Sequence, residues 1–202
     1  MILSCEKRPS LQLLLDCEEA NGDGGGIAWI GNDSLVHWRK GISAKTMLCI
    51  TNSAPLPFVC HFRIGTVGST DARLCHPFPV TKDASTATHG KAQSVVFQNG
   101  HWNDWQQSVL MATIQRQLTI PNDKLWSDTR AIAILIAVYG ERILPIIPAG
   151  KLALVSAKTG ITLTDRYWPE AEKGIVASNT DYKIDWAKYK QAKAYLIGDI
   201  HE

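Results

Sequence analysis

Val59-Cys60-His61-Phe62-Arg63-Ile64-Gly65-Thr66-Val67-Gly68, followed a few residues later by Cys75-His76-Pro77-Phe78-Pro79-Val80, is the stretch on which the reading of this chain turns. Phe58 to Ile64 is a run of apolar and aromatic residues that reads as a buried strand. It carries one cation, Arg63, and breaks at Gly65 and Gly68. A guanidinium at the end of a core strand is costly unless an anion meets it, and its planar fork suits a carboxylate bidentately. Two readings stay open on this segment alone. One is a structural ion pair with an Asp or Glu elsewhere in the chain, and the other is a pocket for the carboxylate of a ligand.

Outward from that strand, the chain reads as one domain spanning 1–202, since 202 residues suffice for one sizeable core. A hydrophobic share of 45% and a charged share of 20% are ordinary for a globular protein. A net charge of +2 with dispersed Lys and Arg argues against a nucleic-acid partner and against a membrane surface. The expected location is therefore cytoplasmic, with no membrane span, because no run approaches the ~20 apolar residues required. The N-terminus is charged too soon for a signal peptide.

The five cysteines (Cys5, Cys17, Cys49, Cys60, Cys75) include no C-x-x-C pair and suit reduced thiols better than a disulfide framework. Cys60-His61 and Cys75-His76 invite a zinc assignment. Neighbours in a strand point to opposite faces, however, so Cys60 and His61 cannot share a metal, and no metal or cofactor is expected.

Before the central strand, Ile2 to Cys5 reads as a strand, and Ser10 caps a helix through Leu11, Leu13, Leu14, Leu15 and Glu18. The glycine-rich run Asn21-Gly22-Asp23-Gly24-Gly25-Gly26 can approach a ligand or another chain segment closely. Ile27–Ile30 and Leu35–Arg39 flank a turn and read as a hairpin, and Ser43 caps a short helix through Met47 and Ile50. Past the central strand, residues 69–91 read as a polar loop. Ser94 to Phe97 is a strand ending at Gln98-Asn99-Gly100, a turn signal, and Asp104 to Leu118 has helical spacing. Ser127 caps an apolar helix whose first-turn Asp128 complements the helix dipole. Strands follow at Leu152–Ser156, Thr159–Thr164 and Gly174–Ala177, and a helix with a charged outer face at 185–197. Strands and helices arrive in blocks, which favours an α+β layered fold.

Taken in order, Asn21–Gly26, His61–Gly68 with Pro77-Phe78, Gln98-Asn99-Gly100, Ser127-Asp128-Thr129 and Ser178-Asn179 resemble the motifs of class II glutamine amidotransferases, a family of N-terminal-nucleophile hydrolases, and in particular its small stand-alone phage versions. The resemblance implies a four-layer αββα sandwich. It implies that Arg63, with Thr66 and Val67, binds the α-carboxylate of glutamine, that Asp128 binds its α-amino group, and that Asp23 and Gly24 border the substrate. Asn99 and the backbone of Gly100 would form the oxyanion hole, where a single donor is worth roughly 3 kcal/mol. The implied partners are a glutamine-like amino acid and a separate acceptor or partner protein. For a phage-encoded chain the implied location is the host cytoplasm or the virion.

Two positions depart from the family pattern. Gln98 stands where the family has His, and Ile2 stands where it has the nucleophilic Cys exposed by loss of Met. That Cys uses its own α-amine, with a pKa near 8 in model compounds, as general base. Removal of Met1 ahead of Ile2 is not expected. Cys5 is the nearest thiol, about 10 Å further along a strand and on its other face. Cys5 serves as nucleophile only if Met1 to Ser4 are removed and the strand slides. Otherwise the chain is a catalytically silent relative that binds a host factor or takes a structural role.

Overall fold

A computed structural model describes residues 1–65, 71–186, 188 and 189. The α+β expectation holds, with two antiparallel sheets and four α-helices among those residues. The first sheet contains β1 (Ile2–Cys5), β2 (Gly25–Ile30), β3 (Val36–Ile42), β4 (Phe58–Phe62), β6 (His89–Ala92), β10 (Glu170–Glu172) and β11 (Ile175–Ala177). The second contains β5 (Phe78–Pro79), β7 (Ser94–Asn99), β8 (Lys151–Ser156) and β9 (Gly160–Leu163). Their orders are β10-β11-β1-β4-β2-β3-β6 and β5-β7-β8-β9.

Alternation along the strands creates three cores. On β4, Phe58, Cys60 and Phe62 face helices α1 (Leu11–Ala20) and α2 (Ala44–Ser53), meeting Leu13, Leu14, Cys17 and Met47. Val59 faces the other way and joins Ile2, Ala28 and Trp38 against Val95, Phe97, Ala153 and Val155 of the second sheet. On the far side of that sheet, Val96, Leu152 and Leu154 pack against α3 (Trp105–Arg116) and α4 (Asp128–Tyr139). The order through the molecule is thus helix pair, sheet, sheet, helix pair. Cys60 and His61 lie on opposite faces of β4, as strand alternation requires.

The caps follow the sequence. Ser10 Oγ accepts from Leu13 N, Ser43 Oγ from Thr46 N and Ser127 Oγ from Arg130 N. The central strand ends at Phe62, two residues before the expected boundary. Residues 71–91 are not simply loop: they hold a 3-10 turn at Ala72–Leu74, the two-residue β5 and the start of β6. The sequence His89-Gly90-Lys91-Ala92 lacks an apolar alternation because β6 is an edge strand, held by backbone pairing with β3. The helix expected over 185–197 lies for the most part outside the described residues.

Candidate functional site

A pocket of about 320 Å³ opens where the ends of β4 and β7 meet the start of α4. This is the size of a small-molecule site. Arg63 and Asp128 both line it, together with Asn99, Gly100, His61, His76, Gln98, Thr129 and Met1, and its walls include Ile64, Trp105 and Trp126. The strand break that places Arg63 at the rim is stitched to the glycine-rich segment. Arg63 N donates to Gly24 O at 3.0 Å, Asp23 N donates to Arg63 O at 2.9 Å, and Asp23 Oδ2 accepts from Gly65 N at 2.5 Å. The Arg63 side chain is 6% exposed and its guanidinium lies over Gly65.

Asp128 occupies the first turn of α4, where the helix dipole favours a carboxylate. Its Oδ1 accepts from Thr129 N at 2.9 Å, and its Oδ2 accepts from Trp102 N at 3.0 Å and Gln98 Nε2 at 2.9 Å. His101 Nδ1 stands 3.7 Å away. A carboxylate has about four acceptor positions, so room remains for one further donor. Asn99 Nδ2 donates to Ser178 Oγ at 2.6 Å, and the same oxygen accepts from Ile2 N at 2.8 Å. One hydroxyl therefore ties the end of β7 to the start of β1. Gly100 adopts φ 148°, and a Cβ there would stand 2.7 Å from Ala149 O, so no side chain fits beside Asn99.

The floor is a buried polar chain. Gln98 Nε2 also donates to Ala149 O at 3.1 Å, and Thr129 Oγ1 lies 2.6 Å from Gln98 Oε1 and 2.7 Å from His76 Nε2. His76 Nδ1 lies 3.1 Å from His61 Nε2 and accepts from Gln98 N at 3.4 Å. Burial holds both imidazoles well below the ordinary histidine pKa. The neighbouring His76 adds to this at His61, and the positive chain start and Lys40 add to it at His76. At the rim, the Met1 nitrogen donates to Phe62 O at 2.6 Å, and burial lowers its pKa to about 5.

These two imidazoles fix the acid behaviour of the fold. Both are neutral when folded, and each takes up a proton on unfolding once the pH is below about 6.5. Two extra protons on the unfolded chain, with a third on the Met1 amine between about pH 8 and pH 5, make stability fall by about 4 kcal/mol per pH unit below that point. Urea unfolding between pH 7 and pH 5.5 measures this, and His61→Gln should lower the slope by about 1.4 kcal/mol per pH unit, a third of the whole. A flat profile would show that the imidazoles are already charged in the fold.

Three expected site residues stand elsewhere. Cys5 is not a pocket residue: it is wholly buried on the helix-facing side of β1, in the core that holds Cys17 and Cys60. Strand alternation turns it away from the site. Asp23 and Gly24 are not among the residues that line the pocket either; they brace the chain around Arg63. Thr66 and Val67 lie outside the described residues. Conversely, His61, His76 and Thr129 sit inside motifs that were legible, but only the fold shows that they touch one another. Trp105 and Trp126, stacked with centroids 5.7 Å apart, form a wall of the pocket, whereas Trp102 is buried in the core beneath α3. No protein-family model and no curated protein matches the chain.

Proposed function

We propose that this chain is a glutamine amidotransferase-like domain, with a sandwich of the N-terminal-nucleophile hydrolase type, whose pocket binds glutamine or a similar amino acid without hydrolysing it. The observation that carries the reading is that Arg63 and Asp128 line one small pocket from opposite elements, the end of β4 and the first turn of α4. A free amino acid presents one anion and one cation, and a pocket that recognises it needs an Arg and a carboxylate held apart. Asn99 and Gly100, at the end of β7, border the same space and suit the side-chain carbonyl of the ligand.

Binding without turnover follows from what lines the pocket near the start of the chain. Met1 and not a cysteine is found there, and its sulfur is turned into the core, where Cys17 Sγ approaches it at 3.4 Å. No cysteine is among the described residues that line the pocket, and a thioester would need one there.

Calorimetry with L-glutamine tests the pocket. Removing a buried guanidinium that makes charge-assisted bonds costs a factor of roughly 100 in affinity, so Arg63→Ala should weaken glutamine by that much. Equal binding by parent and variant would refute the carboxylate assignment. An ammonia-release assay, run beside an intact-mass measurement, should read zero for the full-length chain. Release of ammonia at full-length mass would remove the silent reading.

A further inference from the structure

β6 is the last strand of the first sheet, and its pairing with β3 fixes which of its backbone groups are used. Lys40 N donates to Thr88 O at 2.7 Å, which makes Lys40 and Thr88 a hydrogen-bonded pair. Such pairs alternate along an antiparallel ladder, so the next ones are Trp38 with Gly90 and Val36 with Ala92. His89 and Lys91 therefore turn their N–H and C=O groups to the free edge. Among the described residues none of these four groups is hydrogen-bonded. The side chains of the same two residues share a face with His37 and Arg39, their direct partners on β3. Together with Trp29 and Gly90 they line a cleft of about 470 Å³. One acid stands here: Asp33 accepts from Lys91 Nζ and meets His37 Nε2, each at 2.8 Å. Arg39 and His89 are exposed, and neither side chain has a hydrogen-bond or ion-pair partner among the described residues.

We propose that the β6 edge is a docking surface for a partner protein, which adds an extended segment with acidic residues at alternate positions as a further antiparallel strand. Two residues of that segment, placed opposite His89 and Lys91, exchange backbone bonds with all four unpaired groups. Their side chains, two positions apart, fall on the cleft face. There they meet Arg39, His89 and Lys91, so carboxylates are attracted and cations repelled. The imidazole of His89 donates an N–H to a carboxylate even when neutral. A second copy of this chain is the wrong occupant, because β6 paired with β6 sets one group of these cations against another. A lysine on an edge strand is a common device against such self-pairing. A nucleic acid supplies anions but no strand, and leaves the edge groups unpaired. The inference is independent of the amino-acid reading, since none of these residues lines the pocket at Arg63.

The probe is the peptide acetyl-Ser-Thr-Glu-Val-Glu-Thr-Ser-amide, titrated into the ¹⁵N-labelled full chain. With peptide at saturation the His89 and Lys91 amides should shift, and their exchange with solvent should slow about tenfold or more. A cross-strand pair of opposite charges is worth up to about fivefold in affinity, so the double variant Arg39→Glu, His89→Glu should bind the peptide about tenfold more weakly or worse. Lys173→Glu, a charge reversal at the turn between β10 and β11 on the far side of the same sheet, should bind as the parent does. Methylating the backbone nitrogens of both glutamates keeps every charge, removes the donors and should abolish binding. That arm runs on the parent and stands even if the double variant does not fold. Binding that survives methylation or the double variant, or that leaves the His89 and Lys91 amides unprotected, overturns the inference. So does no binding at millimolar peptide, equal binding of a short oligothymidylate, or protection of the same amides by self-association of the peptide-free chain.

Discussion

Lys40→Met is expected to stabilise the protein by about 3 to 5 kcal/mol at pH 7, an unusual outcome for a change in a well-packed interior. Lys40 is 2% exposed on β3, and its Nζ has no hydrogen-bond partner among the described residues. Its ammonium lies 3.7 Å from the centre of the Phe78 ring and 5.6 Å from that of Trp38. A desolvated cation–π contact is worth about 2 kcal/mol, and the loss of hydration exceeds it. Burial accordingly lowers the Lys40 pKa from 10.5 to about 7, with the nearby charge of Arg130 acting in the same direction and Cys75 and Asp71 opposing it.

The sign follows from proton uptake. Between pH 7 and pH 10.5 the unfolded chain holds a proton on this amine that the folded chain gives up. The parent therefore gains stability as the pH rises through that window, by about 5 kcal/mol in full. Methionine keeps the length and apolar stem of the side chain without the amine, so its advantage should be largest near pH 7 and shrink toward pH 10.5. Urea unfolding of both proteins at pH 7 and pH 10 measures the difference, in which other titrating groups cancel. A variant less stable than the parent at pH 7, or an advantage that ignores pH, would mean that Lys40 keeps its charge in the fold.

Gly26→Ala should have an effect of similar size and opposite sign. A Cβ at Gly26 would stand 1.8 Å from the carbonyl oxygen of His76 and 3.1 Å from Lys40 Cβ. The obstruction is backbone, and it cannot retreat easily. His76 is held on one side by Thr129 and His61 through its ring, and on the other by Pro77 with its fixed φ. Overpacking against such a wall should cost about 3 kcal/mol or more and loosen the His76–His61 contact with it. Gly22→Ala is the control. Its Cβ meets nothing closer than Glu18 O at 3.6 Å, so the change should stay within about 1 kcal/mol. Thermal melts of the two variants beside the parent decide the matter, and equal melting temperatures for Gly26→Ala and Gly22→Ala would refute the close approach.

Gly26 also shows where a sequence stops being informative. The glycine-rich run announced a close approach, to a ligand or to another segment of chain. The partner turns out to be the His76 carbonyl, 50 residues away in sequence. Asp23 and Gly24 belong to the same run, and their hydrogen bonds to Gly65 and Arg63 tie it to the end of β4. The short edge strands β5, β6 and β10 escaped notice because their stability comes from pairing with a neighbour and not from their own composition.

The local features were written in the chain itself. The serines that cap α1, α2 and α4, the alternation that splits β4 between two cores, the hairpin of β2 and β3, and the strand end at Arg63 each depend on residues within a few positions of one another. Such short-range rules act before the chain has a shape. Only the packed structure brought Arg63 and Asp128 to one pocket, sealed Lys40 away from water, and joined Asp128 to His61 through Gln98, Thr129 and His76. The physical reason is that a hydrogen bond's direction, or an amine's charge, depends on what surrounds it in space, and residues dozens of positions apart supply those surroundings only after the two sheets have closed on each other.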